Sequence, residues 1–100
     1  MMEAKAPKKR AATLSRTVTI VNQRGLHARA AARFVKLAAR FSSDITVAKN
    51  GTEVSGLSIM GLMMLAAGPG TEVVIRAKGA DAGAAIDALD ALIANRFDEE

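Results

Sequence analysis

Residues 43 to 56 read SDITVAKNGTEVSG, and this stretch decides the fold because it encodes a tight antiparallel hairpin. Two short runs, 43–49 and 52–56, are suited to strands and flank the dipeptide Asn50-Gly51. Asn-Gly favours the two-residue turn in which both residues take positive φ, so it is the strongest short hairpin signal. The two runs therefore predict a pair of adjacent antiparallel strands.

Helical and extended patterns alternate on both sides of this hairpin. The remaining predicted elements are a strand at 14–21, a helix at 28–41, a helix at 58–65, a strand at 71–78 and a helix at 82–97. Ser58 and Asp81 stand where helix N-caps are expected. The order βαββαβα predicts an α+β fold, an open-faced sandwich of a four-stranded antiparallel sheet with three helices on one face.

The composition fits one globular domain without a metal centre. Half of the 100 residues are hydrophobic, enough for a single core, and the chain is too short for two. It has no cysteine and one histidine, which argues against thiolate chemistry and metal sites built on sulfur or imidazole. We therefore expect no metal and no cofactor. The lack of cysteine, of an apolar leader and of a membrane-spanning segment predicts a cytoplasmic protein.

Positive charge is concentrated at the amino-terminal end. Of the formal charge of +4, residues 1–13 contribute +3, from four basic residues and one acidic residue. The remaining residues carry 10 basic and 9 acidic groups, a net charge of only +1. We interpret 1–13 as a disordered basic extension and 14–100 as the folded domain. The extension is either an interaction arm or upstream sequence without a role.

A nucleic-acid-binding module is the first alternative to consider, because an RNA-recognition domain has a similar order of elements. Such domains stack bases on aromatic side chains of the sheet. None of the predicted strands contains Phe, Tyr or Trp, and the domain charge is too small for a nucleic-acid footprint. We therefore expect no nucleic-acid partner.

The single histidine lies in RGLHARA, residues 24–30, immediately before the first predicted helix. The second helix carries SIMGLMML, residues 58–65. The motif GLHAR, the second motif at its spacing, and the order of elements together resemble the histidine-containing phosphocarrier proteins, HPr, of the bacterial phosphotransferase system. The resemblance covers residues 14 to 97 and implies an HPr-like fold.

The resemblance also implies a function. HPr proteins accept a phosphoryl group on a histidine from phospho-Enzyme I, which obtains it from phosphoenolpyruvate, and pass it to an Enzyme IIA domain. The matching residues are His27 as the phosphoryl carrier and Arg29 as its partner. Ser58 matches the serine that a dedicated HPr kinase/phosphorylase modifies in many members. A monomeric carrier, not a turnover enzyme, is implied.

Local chemistry supports this assignment. Neutral imidazole both accepts and releases phosphoryl groups, and a helix start offers free backbone N–H groups to phosphate oxygens. We expect support for the phosphate from Arg24 and from the N–H groups of Ala28 and Ala30. The family usually has proline at the position of Ala30, and proline offers no N–H.

Partner docking is predicted around the second helix, which is too apolar to bury its whole circumference. The predicted docking residues are Ile59, Met60, Met63, Ala32 and Lys36. Exposed methionine suits several partners, whereas the alternative for Met60 and Met63 is core packing.

Three questions stay open at this stage. Arg33, Lys36 and Arg40 either steer an acidic partner or only solvate a helix face. Ser58 is an N-cap, a regulatory site, or both. The final acceptor of the phosphoryl group is either a sugar or a regulatory circuit. The remaining alternative is a purely regulatory relative of the family, which is phosphorylated at Ser58 or binds other proteins and transfers no phosphoryl group through His27.

Overall fold

The structure is a computed structural model that describes residues 13–99. The elements are β1 (Thr13–Thr19), α1 (Ala28–Ala38), β2 (Asp44–Lys49), β3 (Thr52–Ser55), α2 (Ile59–Met64), β4 (Glu72–Lys78) and α3 (Ala82–Ala94), followed by a short turn at Arg96–Asp98. The predicted order βαββαβα is confirmed.

The four strands form one antiparallel sheet in the order β1-β4-β2-β3. The predicted hairpin closes with Lys49 opposite Thr52. Asn50 and Gly51 between them have φ values of 49° and 84°, as the Asn-Gly turn requires. The β4 strand pairs with both β1 and β2, so it joins the amino-terminal strand to the hairpin.

The core lies between one face of the sheet and the three helices. Along β4, Val73, Ile75 and Ala77 are buried, while Glu72 and Arg76 are exposed. This alternation places every second side chain under the helices and leaves the other face open. Ile86, Leu89 and Ile93 of α3 are buried against the sheet side of the core, as is Phe97 after the helix. The open-faced sandwich is therefore confirmed.

The predicted boundary between extension and domain needs a small correction. Thr13 was assigned to the extension, but it belongs to β1 and lies opposite Lys78. Residues 1–12 and Glu100 lie outside the described residues, and so does the prediction of disorder made for the extension.

Two helices end earlier than the sequence pattern predicted. The first ends at Ala38 instead of Phe41, and the third ends at Ala94 instead of Phe97. After Asn95 the chain turns sharply, because Arg96, Phe97 and Asp98 have φ values of 57°, 55° and 61°. This left-handed turn returns the Phe97 ring to the core, where it is 0% exposed. Burial of the ring compensates for the backbone strain.

Asp81 occupies the predicted N-cap position of α3, but its side chain does not cap that helix. The carboxylate instead accepts hydrogen bonds from the N–H groups of Ser42 and Ser43, both at 2.9 Å, and from the Ser43 hydroxyl. It therefore ties the start of α3 to the connection between α1 and β2. The Ser43 hydroxyl is the main cause that lowers the pKa of Asp81, and the two N–H groups add to it.

These contacts predict an acid-dependent contribution to stability. A lowered folded-state pKa stabilises the fold above the unfolded-state pKa of an aspartate, and this contribution is lost as the pH falls through the folded-state pKa. We expect Asp81→Asn to reduce the free energy of unfolding at neutral pH, with the difference from wild type shrinking in acid. Urea titrations at a series of pH values measure this. Asp44→Asn, at an exposed carboxylate, is the control, and a pH-independent deficit for Asp81→Asn would contradict the assignment.

Candidate functional site

His27 is the N-cap residue of α1, with extended backbone angles of φ −76° and ψ 179°. Its carbonyl accepts the first helical hydrogen bond, from the N–H of Ala31 at 2.8 Å. Its ring makes no capping hydrogen bond among the described residues. The N–H groups of the first turn, those of Ala28, Arg29 and Ala30, therefore have no intrahelical acceptor. The predicted position of the ring at a helix start is confirmed.

The loop that leads into His27 is fixed by a close backbone contact. Gly25 has a φ of 66°, and a Cβ atom there would lie 2.3 Å from the carbonyl oxygen of Ala67. The next residue, Leu26, donates its N–H to the same oxygen at 3.0 Å and is buried. The glycine therefore lets the His27 loop pack directly on the segment that follows α2.

A pocket of about 250 Å³ opens beside the imidazole. Its lining consists of Asn22, Gln23, Arg24, His27, Arg29, Arg96 and Glu99. The predicted residues Arg24 and Arg29 thus lie in one pocket with His27. Arg96 was not predicted, and it adds a third guanidinium. Three cationic side chains and a helix N-terminus make the pocket suited to an anion with several oxygens.

Glu99 occupies one side of this pocket. Its Oε2 is hydrogen-bonded to Nε2 of His27, and its Oε1 accepts a hydrogen bond from Nδ2 of Asn22 at 3.2 Å. The His27 hydrogen bond is the main cause that lowers the pKa of the Glu99 carboxyl, and the Asn22 hydrogen bond and the charges of His27 and Arg24 contribute further. The carboxylate is therefore ionised at neutral pH.

Sequence reasoning missed the residues that come from the loop before His27 and from the carboxy-terminal turn. The sequence NQRG predicted only a break after β1, and nothing marked Asn22 as a residue that is 1% exposed. Arg96 and Glu99 reach the pocket only because the turn at Arg96–Asp98 directs the chain back. That turn contains no glycine, so it carries no local signal.

Ser58 is the N-cap of α2, and its hydroxyl accepts a hydrogen bond from the N–H of Gly61 at 2.9 Å. The predicted cap is confirmed. Replacing Ser58 by alanine is expected to lower the free energy of unfolding by about 0.5–2 kcal/mol, because the Gly61 N–H loses its acceptor. Ser58→Asp keeps an acceptor there and is expected to stay near wild type. Urea denaturation distinguishes them, and equal losses in both variants would contradict the capping role.

The predicted docking residues are exposed. Among the methionines of α2, Met60 is 70% exposed and Met63 is 40% exposed, so neither is a core residue. Ile59 and, on α1, Ala32 and Lys36 are also exposed. The prediction omitted Leu57 and Met64, which are 58% and 77% exposed and extend the apolar surface. Leu62 and Leu65 are buried and attach the helix to the core.

The other residues predicted on α1 differ in their exposure and in their hydrogen bonds. Ala28 is exposed, whereas Ala30 is buried as a whole residue, at 0% exposure, so its predicted role as an N–H donor to phosphate stays a prediction. Arg33 does not merely solvate its helix, because its guanidinium donates a hydrogen bond to the carbonyl of Phe97. Lys36 and Arg40 are exposed on the same helix.

Two further observations concern the described residues 13–99 only. No group of three or more His, Asp or Glu side chains is arranged to hold a metal ion there. None of the described helices combines the length and the apolar character needed to span a membrane.

The comparisons with known proteins agree with this geometry. Residues 14–95 match the family described as PTS HPr component, phosphorylation site. Phosphocarrier protein HPr of Cupriavidus necator is 52% identical over 86 residues, which cover 86% of this chain and 97% of that protein. Phosphocarrier protein NPr of Shewanella violacea is 45% identical over 86% of this chain and 94% of its own length.

Solved structures give the same result. The crystal structure of an HPr from Thermoanaerobacter tengcongensis superimposes with a TM-score of 0.83 at 46% identity, covering 87% of this chain and 98% of the other. The chain therefore belongs to the HPr family. The names of its relatives are those of phosphocarrier proteins, which are carriers and not turnover enzymes.

Proposed function

We propose that this protein carries a phosphoryl group on His27 within the phosphoenolpyruvate-dependent phosphotransferase system. The observation that carries the proposal is the pocket that joins the imidazole to Arg24, Arg29 and Arg96 at the N-terminus of α1. The family supports the reaction class. Enzyme I as the donor and an Enzyme IIA domain as the acceptor are the partners that this family implies.

The reaction exchanges one phosphorus–nitrogen bond for another. A ring nitrogen of His27 attacks phosphorus on the donor histidine, and the electron pair of the breaking bond returns to the donor imidazole. The arginine side chains of the pocket bind the phosphate oxygens through charge-assisted hydrogen bonds, and the first N–H groups of α1 supply further donors. Arg24 and Arg29 of this pocket are exposed, so a second protein can reach a phosphoryl group held there.

The apolar surface of α2 supports a docking role toward these partners. Leu57, Ile59, Met60, Met63 and Met64 are exposed, and α2 packs against α1, the helix that begins at His27. Flexible methionine side chains adapt to differently shaped partners. One surface can therefore receive both the donor and the acceptor. Ala32 and Lys36 extend the same proposal onto α1.

Ser58 is proposed as a regulatory phosphorylation site for a kinase of the HPr kinase/phosphorylase type. Its hydroxyl lies at a helix N-terminus, where added negative charge is tolerated, so the fold would be retained. It also lies among the exposed apolar residues Leu57, Ile59 and Met60. A phosphate dianion in this position would disfavour docking by its charge and hydration.

The test is phosphorylation by Enzyme I and phosphoenolpyruvate, followed by intact-mass measurement and acid treatment. Enzyme I that phosphorylates the Cupriavidus necator relative serves as the positive control. We expect wild-type protein to gain one acid-labile phosphate and His27→Ala to gain none, because the only imidazole in the chain has been removed. The amide NMR spectrum establishes that the variant is folded.

Two results would contradict this proposal. An acid-stable phosphate on the wild-type protein, or equal labelling of His27→Ala, would place the modification on another residue. No labelling of folded wild-type protein by an Enzyme I that labels the relative would favour the regulatory alternative centred on Ser58. Incubation with ATP and an HPr kinase, with Ser58→Ala alongside, then tests that alternative.

A further inference from the structure

We infer that Glu99 is a positioning residue for the phosphoryl-accepting ring, in that its carboxylate holds the proton of His27 on Nε2 and so leaves Nδ1 as the attacking nitrogen. The inference deepens the proposed function and rests on it for its chemical purpose. The arginines and the helix N-terminus are proposed to bind the phosphate, whereas Glu99 contacts the ring itself.

The direction of the hydrogen bond follows from the chemistry of the two groups. An ionised carboxylate has no proton to donate, so Nε2 of His27 must be the donor toward Oε2 of Glu99. A neutral imidazole carries only one ring proton. With that proton on Nε2, Nδ1 has a free lone pair, and it makes no hydrogen bond to any described residue 13–99. The contact is also largely shielded from water, with side-chain exposures of 16% for His27 and 18% for Glu99.

Several contacts hold Glu99 in place. Asn22, itself buried, donates through Nδ2 to Oε1 of Glu99 at 3.2 Å and to the carbonyl of Gly25 at 2.9 Å. Two residues earlier, Phe97 anchors the turn in the core, and its carbonyl accepts a hydrogen bond from Arg33. The carboxylate is therefore positioned before the reaction and does not have to be recruited during it.

The same carboxylate assists the chemical step. When the lone pair of Nδ1 forms a bond to phosphorus, the ring gains positive charge while Nε2 keeps its proton. The donor's phosphorus–nitrogen bond breaks and its electron pair stays on the donor imidazole, so no proton has to move. A fixed carboxylate against Nε2 stabilises the positive ring, as the aspartate of a Ser-His-Asp triad stabilises its imidazolium. Glu99 thus has a triad-like role in a protein that is not an enzyme.

The test compares Glu99→Ala and Glu99→Gln by ¹⁵N NMR of the His27 ring, above the pH at which the ring loses its charge. In Glu99→Gln, Nδ2 of Asn22 still donates toward the atom that replaces Oε1 of Glu99. The glutamine oxygen therefore turns to Asn22, and the glutamine NH₂ group turns to Nε2 of His27. That NH₂ group can only donate, so it favours the proton on Nδ1. Glu72→Gln, at an exposed residue on β4, is the matched control.

We expect wild-type protein and Glu72→Gln to carry the proton on Nε2, Glu99→Ala to show averaged shifts of two exchanging tautomers, and Glu99→Gln to carry it on Nδ1. The rate of phosphorylation by Enzyme I should fall about tenfold in Glu99→Ala and on the order of a hundredfold or more in Glu99→Gln, where the wrong tautomer is imposed.

Unchanged ring shifts in both Glu99 variants would overturn the inference. So would a glutamine variant that is phosphorylated faster than the alanine variant. The ring shifts do not depend on Enzyme I. If they change as expected while wild-type protein accepts no phosphate, the proposed function fails and the positioning of the ring stands.

Discussion

Replacing Gly25 by alanine is expected to lower the free energy of unfolding by about 2–5 kcal/mol, combining the cost of a left-handed backbone with that of overpacking. Gly25 has a φ of 66°, and a Cβ atom would lie 2.3 Å from the Ala67 carbonyl oxygen and 2.9 Å from the Cα of Gly68. Both obstacles are backbone atoms, so neither can move as a side chain would. The loop must then separate from the segment after α2, and His27 moves with it.

Gly70→Ala is the matched control. Gly70 also has a positive φ, of 84°, but within residues 13–99, its chain neighbours aside, no atom lies within 4 Å of the Cβ position. It is expected to show the backbone cost alone, about 1–2 kcal/mol. Urea denaturation gives the stabilities, and the phosphorylation assay should show a slower reaction only for Gly25→Ala. Equal losses of stability in the two variants would contradict a special contact at Gly25.

Phe97→Ala is expected to cost about 3–5 kcal/mol, because it removes a fully buried ring from the core. The effect should extend to the pocket. Phe97 anchors the turn of positive φ at Arg96–Asp98, and Glu99 follows directly. Without the ring, nothing compensates for the strain of that turn, so the carboxylate is expected to leave His27. Denaturation measures the first effect, and the ¹⁵N shifts of the His27 ring measure the second.

Phe34→Ala separates these two effects. Phe34 is also fully buried, on α1, so its loss should destabilise the fold by a similar amount. The carboxy-terminal turn stays anchored in this variant, and the His27 ring shifts should remain those of wild type. Phe97→Leu, which keeps part of the buried apolar side chain, is expected to cost less than Phe97→Ala. A change of ring shifts in Phe34→Ala equal to that in Phe97→Ala would contradict the anchoring role of Phe97.

The elements of the fold were predictable because their signals are local. Asn50-Gly51 specifies its own turn, and the alternation along β4 specifies which residues are buried. The predictions fail where a contact with a residue distant in the chain determines the local conformation. Asp81 has the residue type and position of an N-cap, yet its carboxylate bonds to Ser42 and Ser43, which no local pattern relates to it.

The site was predictable in part for the same reason. His27, Arg24 and Arg29 lie within six residues of one another, so a single motif contains them. Glu99 is 72 residues away from His27 in the chain and reaches it through a strained turn. Burial of the Phe97 ring stabilises this strained turn, and neither composition nor periodicity can predict such strain.

The order β1-β4-β2-β3 also governs how the protein is assembled over time. The only strand that pairs with β1 within residues 13–99 is β4, which starts at Glu72. A nascent chain that ends before Glu72 holds β2 and β3 as a hairpin but leaves β1 without a partner. Closing that long loop costs entropy before any pairing rewards it. Formation of β4 is therefore the step that completes the four-stranded sheet. The histidine pocket can form only after this step.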